Sequence, residues 1–356
     1  MTGFTPSLAS ADARRTLSHL ITSRFNTHAL AGRILHLQRM FSTCTASCLP
    51  PFAGHGVHIT PEIHYRCEQW LPLAELRSPF YQLYRQALAY SPVLSSTPFA
   101  DATSWAGIVS RFPPFLQNFI NPADLLEQLL ADANLRTKFL FWSFMPERFY
   151  GGASDRYPGQ AATICEWLRL RKGKGGCIKC LDAACGDGAA AYGLARLLLA
   201  EGWHPHRFEI EGWTLDPLEV WAASHGIFPQ SPLREATFRA WVAPVFEQAA
   251  NRSMLFKVAD LNNVPQGNVV NRSDRFDLIV CNGLLGGPII DRLDNIRRIM
   301  SYFNGMLAPG GMLMVADHFH GGWKKNIPGE FFGDVLEAHG LSLVDTAEGV
   351  AALKSD

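Results

Sequence analysis

The chain of 356 residues contains no run of 18 or more uninterrupted apolar residues, and its first residues lack the compact apolar core of a secretory signal. These absences argue against a helical membrane anchor, so a cytoplasmic protein with no membrane partner is expected. An excess of charge is also missing. The 32 Lys and Arg are balanced by 32 Asp and Glu, which removes the electrostatic footprint of a general nucleic-acid binder, and no nucleic acid is expected as partner. Charged residues make up only 18% and hydrophobic residues 47%, a balance that excludes a disordered, solvating chain and allows large cores. The first 40 residues are short of acid and hold several Arg and Ser. They read either as a transit peptide or, over Leu17 to Leu37, as amphipathic helix continuing into a domain.

A zinc framework is absent too. Cys177 and Cys180 form a C-x-x-C, but no second pair or nearby His completes the set, and Cys180 opens an apolar run. Cys44, Cys48, His55, His58, His64 and Cys67 are denser, yet their spacing fits no common finger. No metal is expected, and the cysteines inside apolar runs read as reduced core thiols.

What is present divides in two, as the length suggests. From Leu17 to about Leu140 the pattern is helical. Stretches such as Glu75 to Tyr90 and Pro122 to Phe139 carry apolar residues three and four apart, and no sustained β pattern occurs. After a helix over Ala161 to Arg171 the pattern alternates. Strands are expected at Ile178 to Ala183, Phe208 to Leu215, Leu255 to Val258, Phe276 to Cys281 and Gly311 to Ala316, with helices or long connections between them. A helix over Glu330 to His339 precedes Leu341 to Val344 and Val350 to Leu353, which can pair as an antiparallel hairpin. The expected fold is α/β, a Rossmann-like, mostly parallel seven-stranded sheet with a C-terminal antiparallel hairpin, preceded by an all-α domain. Residues 1–158 are read as a helical substrate or lid domain and 159–356 as the sheet domain.

The central motif is Leu181-Asp-Ala-Ala-Cys-Gly-Asp-Gly, where an apolar strand runs into Gly186 and Gly188 and then into an Ala- and Leu-rich helix. Glycines let the backbone approach a ligand closely, and the helix N-terminus favours electronegative groups. The Gly186, Gly188, Ala191 spacing also satisfies a dinucleotide fingerprint, so a nicotinamide-dependent oxidoreductase is the alternative. Charge separates the two. Asp182, in the strand before the turn, suits the ammonium of a methionine moiety and would repel a pyrophosphate. Asp216, with Pro217, ends the second strand and is expected to accept the ribose hydroxyls. Asp260 and Leu261 follow the third, to reach the adenine edge and cover its face. S-adenosylmethionine (SAM) is the better reading.

The half from Lys179 onward resembles the class I (Rossmann-like) SAM-dependent methyltransferases. Phe276-Asp-Leu-Ile-Val-Cys-Asn looks like their fourth strand and exit loop, and Leu307-Ala-Pro-Gly-Gly-Met-Leu-Met-Val like the turn into their fifth. Within that superfamily the spacing is similar to the chemotaxis receptor glutamate methyltransferases, which carry A-C-S-T-G-E-E-P-Y-S at the glycine turn and G-I-Y after the second strand. Here those stretches are Ala184 to Gly193 and Gly226-Ile-Phe. The family's paired glutamates become Ala189 and Ala190, and a tyrosine near the transferred methyl becomes Gly287. The resemblance therefore implies a SAM site built on Asp182, Ala184, Gly186, Asp187, Gly188, Asp216, Pro217, Asp260, Leu261, Cys281 and Asn282. It does not carry over receptor glutamate as acceptor. A SAM-binding sensor without turnover is a further alternative.

Methyl transfer is an in-line displacement, so the protein mainly positions donor and acceptor and excludes water. Ligands of such sheets sit beyond the carboxyl ends of the strands. That places Leu284 and the exit loop at the acceptor, with His318 and His320 as candidate bases. The segment around Arg148, Tyr150, Arg156 and Tyr157 mixes aromatics, Arg and glycines suited to closing over a ligand. Arg156 and Tyr157 join the candidate catalytic set, and Arg148, Tyr150 and Leu284 the acceptor contacts. The acceptor is expected to be a small molecule or a protein; nothing in the sequence fixes it or the oligomeric state.

Overall fold

The computed structural model describes residues 3–22, 26–47, 59–145, 156–172, 176–264, 275–287, 289–316, 327–328 and 330–355. The chain forms two compact units: Met1–Ala13, Glu147–Ile227 and Leu233–Asp356 make one, Arg14–Pro146 and Phe228–Pro232 the other. Among the described residues no helix is long and apolar enough to cross a membrane.

The first unit is built on an eight-stranded sheet. Its strands are β1 (Gly3–Phe4), β2 (Ile178–Asp182), β3 (Phe208–Thr214), β4 (Met254–Val258), β5 (Phe276–Asn282), β6 (Leu307–Ala316), β7 (Leu341–Val344) and β8 (Val350–Lys354). They lie in the order β1-β4-β3-β2-β5-β6-β8-β7. β4, β3, β2, β5 and β6 run parallel, whereas β8 is antiparallel to both β6 and β7. The seven expected strands are present, and the hairpin is as expected. The eighth is β1, two residues that pair antiparallel with β4 through Gly3↔Lys257 and Phe4↔Phe256. Two residues are too few to show a period in sequence.

Strands buried on both faces read as continuous apolar runs, and β5 does so: Leu278, Ile279, Val280 and Cys281 are all buried. One flanking core gathers Leu181, Ile279, Leu313, Ile296, Ile299 and Phe303, each fully buried. At about 1.5 to 3 kcal/mol per large apolar side chain, such a layer dominates the favourable side of folding. The Pro309-Gly310-Gly311 stretch lies inside β6, not before it. Phe276 pairs with Leu307 but Leu278 with Met312, so the extra residues are accommodated as an irregularity in the strand. A Cβ on Gly311 would come within 2.7 Å of the Ala308 carbonyl oxygen, which explains the glycine.

From β2 the chain steps outward to β3 and β4, then returns to the other side of β2 for β5 and β6. The reversal opens a crevice at the carboxyl ends of β2 and β5, the place where open parallel sheets bind ligands.

The second unit is helical, with Ala31–Ser47, Pro61–Trp70, Leu73–Ala87, Pro122–Ala131 and Ala133–Phe144 among its helices. Leu17 to Leu37 is not one helix: Ser10–Leu17 ends, Ile21 bridges Leu88, and a new helix starts at Ala31. Pro122 to Phe139 likewise breaks at Asp132, whose Oδ1 accepts the N–H groups of Asn134 and Leu135 and so caps the next helix. Its core is aromatic: Phe80 stacks on Phe99 at 4.5 Å, and the buried Tyr84 hydroxyl donates to Ser143 at 2.8 Å.

Candidate cofactor and acceptor site

A cavity of about 840 Å³ lies at the carboxyl ends of β2 to β5, with all its described lining in the sheet unit. Asp182, at the end of β2, is 2% exposed. Its Oδ1 accepts the Ala184 N–H at 3.4 Å, while Oδ2 is buried and makes no hydrogen bond among the described residues. Burial pushes this carboxyl up to about 7, and the nearby Asp187 carboxylate adds to the rise. A buried acceptor left unmade costs about 1 to 3 kcal/mol, which a cation entering the cavity would offset. The donor set at this corner fits an ammonium.

The glycine turn follows. Gly188 has φ +85° and starts the helix Ala189–Ala200; a Cβ there would meet Ala223 at 2.9 Å and the Phe256 ring at 3.0 Å. Ala184, Gly186 and Asp187 line the cavity, whereas Gly188 does not. Asp187 is already engaged: Oδ1 accepts the Ala189 N–H at 3.1 Å and Oδ2 pairs with Arg234 at 2.6 Å.

Asp216 stands just beyond the end of β3, where the sequence places it. It caps the helix Pro217–His225, its Oδ1 accepting the Leu218 N–H at 2.8 Å, with Pro217 in the first turn. Neither Asp216 nor Pro217 lines the cavity. Thr214 and Glu219 do, and the Thr214 hydroxyl donates to Glu219 Oε2. Burial pushes the Glu219 carboxyl up to about 8, a rise that the Arg234 guanidinium opposes. Thr214 and Glu219 went unnoticed in the sequence.

Asp260 and Leu261 line the cavity beyond β4. Asp260 also holds its own loop, Oδ1 accepting the Asn262 N–H at 2.9 Å and Oδ2 the Asn263 amide at 2.5 Å. Beyond β5, Asn282 and Leu284 line it, while Cys281 is buried in the strand and does not, its thiol pushed far above the usual range by burial. Asn282 is paired with Gln160, a third residue that the sequence reading missed. Asn282 Nδ2 donates to Gln160 Oε1 at 2.8 Å, and Gln160 Nε2 donates back to Asn282 Oδ1 at 3.2 Å. Glu348 Oε2 accepts the N–H groups of Gly159 and Gln160 at 2.8 and 3.4 Å, fixing that helix start. Arg156 and Tyr157 line the same mouth. Arg148, Tyr150, His318 and His320 lie outside the described residues.

Among the described residues no group of three His, Cys, Asp or Glu could hold a metal. In the helical unit Cys44 and Cys67 have their sulfurs 3.9 Å apart, and His64 Nδ1 bonds Ser104 Oγ at 2.8 Å. Cys48, His55 and His58 are outside the described residues.

Residues 161–318, under half of the chain, match the family model for the CheR methyltransferase, SAM binding domain. No curated protein matches the chain. Among solved structures the fold is similar to the N-methyltransferase NodS from Bradyrhizobium japonicum WM9 in complex with S-adenosyl-L-homocysteine (15% identity, 63% of this chain and 100% of that one, TM-score 0.36). It is also similar to a TehB-like SAM-dependent methyltransferase from Corynebacterium glutamicum (18% identity, 56% and 100%, TM-score 0.29). These likenesses are faint and say nothing of the acceptor.

Proposed function

We propose, from the premise that this chain is a SAM-dependent methyltransferase of the class I fold with a CheR-type SAM-binding domain, that it methylates a small-molecule or protein nucleophile entering beside Asn282 and Leu284. The observation that carries the placement is the buried Asp182 carboxylate, whose Oδ2 has no hydrogen-bond partner among the described residues beside the glycine turn. Asp182 would hold the methionine ammonium, Ala184 and Gly186 would give backbone close to the amino-acid portion, and Asp260 with Leu261 would take the adenine edge and face. Bound SAM supplies an electrophilic sulfonium methyl.

The protein's own residues then have a positioning task. Asp182 would hold one end of the donor, and at the β5 exit the paired amides of Asn282 and Gln160 present polar groups in fixed directions to whatever enters there. Leu284, Ile289 and Ile290 form an apolar wall there that limits water. Arg156 and Tyr157 are assigned to orienting the acceptor, Arg148 and Tyr150 to further contacts with it, and His318 or His320 to removing a proton where the acceptor carries one. The seven free cysteines among the described residues support a cytoplasmic setting.

Calorimetry with SAM, S-adenosylhomocysteine and NAD tests the cofactor assignment, and transfer of a labelled methyl from SAM in cell extract tests turnover. Binding of NAD alone would return the chain to nicotinamide chemistry. Tight SAM binding with no labelled product from any extract would make it a sensor.

A further inference from the structure

We infer that Glu348 is a positioning residue for methyl transfer. From the turn between β7 and β8 it sets the start of the helix Pro158–Arg171 and, through Gln160, the direction of the Asn282 carboxamide at the β5 exit. The inference rests on the reading above, in which the acceptor enters beside Asn282.

The helix Pro158–Arg171 has no local side-chain cap. Tyr157 holds the capping position and makes no side-chain bond to the first turn, since a ring offers no short oxygen of the kind that Ser or Asp brings to those N–H groups. Glu348 supplies the acceptor from 189 residues along the chain, its Oε2 taking the Gly159 N–H at 2.8 Å and the Gln160 N–H at 3.4 Å. A carboxylate suits this place twice over, because it accepts from N–H groups that the helix leaves unpaired and faces the positive end of the helix dipole. The approach requires Gly159: a Cβ there would stand 2.8 Å from that of Ala347 and 3.2 Å from Glu348 Oε2. One turn further on, the hydroxyls of Thr163 and Thr346 meet at 3.4 Å.

The turn that carries Glu348 is itself seated on the sheet. Gly349 has φ +74°, and a Cβ there would overlap the Val315 carbonyl oxygen and stand 2.7 Å from the Ala316 Cβ. Ala316 is in turn the β6 partner of Asn282 in β5. The contacts close a ring, from Asn282 through Ala316, Gly349, Glu348 and Gln160 back to Asn282, and all five residues belong to the sheet unit. Gln160 is buried and exchanges two hydrogen bonds with the Asn282 carboxamide. A ring closed at each step holds that amide in one direction. Opening it at Glu348 releases the helix start from which Gln160 reaches the site.

The test uses the full chain with its side-chain amides labelled for NMR. The Asn282 amide signals, assigned by their loss in Asn282→Ala, are expected to move in Glu348→Ala as in Gln160→Leu, and to stay in place in Glu348→Gln, which keeps an accepting oxygen. Single-turnover transfer of labelled methyl from SAM in cell extract is expected to slow about tenfold in Glu348→Ala, with affinity for S-adenosylhomocysteine held within about twofold. In a Gln160→Leu background the same change should slow transfer by less than about twofold more, because a residue that acts through another has nothing left to act on. Additive losses, or Asn282 signals unmoved in Glu348→Ala, overturn the inference. If Glu348→Ala fails to fold, Gly159→Ala, whose methyl group meets Ala347, decides by the same signals. A folded parent that binds no S-adenosylhomocysteine overturns the SAM reading itself, a distinguishable result, since the amide signals still report on Glu348.

Discussion

Arg234 Nη2 lies 2.6 Å from Asp187 Oδ2, an ion pair that ties the helix Pro232–Glu247 to the glycine turn. Both side chains are largely buried, and Asp187 also holds the Ala189 N–H. Removing one partner strands the other. Arg234→Leu is therefore expected to destabilise the sheet unit by about 3 kcal/mol. The double change Asp187→Asn with Arg234→Leu should recover part of that loss, because no uncompensated charge remains. Urea denaturation followed by tryptophan fluorescence reads both. Parental stability in Arg234→Leu would mean the pair is a solvated contact.

Asp216 makes a complementary case. As a helix cap bonded to Leu218, its change to Ala should cost about 1 kcal/mol of stability. Affinity for S-adenosylhomocysteine should stay within about twofold, since a single lost cap moves the fold and not the ligand contacts. Calorimetry on the folded variant decides. A tenfold or greater loss would assign the ribose role to this residue.

The contrast shows how far the sequence could be read. Apolar runs in β2 and β5 and the glycines after β2 declare themselves, because strand burial and a left-handed turn at Gly188 each demand particular residue types. Asp182 was legible for the same reason: an acid inside an apolar strand needs a purpose. The division between Asp216 and Glu219 was not. It depends on where the helix begins and which way each side chain leaves it, and one residue of difference turns the side chain about 100° on a helix of 3.6 residues per turn. The Gln160 to Asn282 pair and the Asp187 to Arg234 pair join residues far apart in the chain, which no local pattern reveals.

Cofactor affinity should depend on pH near neutrality. Burial raises Asp182 from 3.8 to about 7 and Glu219 from 4.5 to about 8, so without ligand the fold retains protons that the unfolded chain has released. For an acid raised in this way, the contribution to stability is full below the unfolded pKa and is lost as pH climbs through the folded one. Unliganded protein should accordingly lose stability from about pH 4 toward pH 8. A cofactor ammonium reverses the preference at Asp182 by favouring the carboxylate. Affinity for S-adenosylhomocysteine should thus rise between pH 6 and 8, with protons released on binding. Titrations in buffers of different ionisation heat count those protons. Asp182→Asn should bind weakly and flatten most of the pH response, and a parent that releases none would remove Asp182 from the ammonium role.

The amide pair of Gln160 and Asn282 should separate transfer from binding. Asn282 stands at the end of β5 beside Leu284, and Gln160, 2% exposed, reaches it from a helix start that Glu348 fixes. The pair stands on the β5 side of the cavity, whereas the donor's ammonium is assigned to Asp182 at the end of β2. Gln160→Ala removes the partner on both sides of the Asn282 carboxamide and lets it turn. If Asn282 aligns acceptor with methyl, the loss belongs to the transition state, so turnover should fall while donor affinity holds. Misplacement of a reacting group by about 1 Å costs roughly a hundredfold, and a loosened amide should cost roughly tenfold to that limit. Arg156→Ala should behave alike if it orients the acceptor. The measurement is single-turnover transfer of labelled methyl to the acceptor fraction of an extract, set beside the dissociation constant for S-adenosylhomocysteine. Gln160→Leu, which keeps bulk but cannot bond the amide, distinguishes alignment from packing: it should be as slow as Gln160→Ala. A Gln160→Leu protein that transfers at the parental rate would reduce the pair to a brace between helix and sheet.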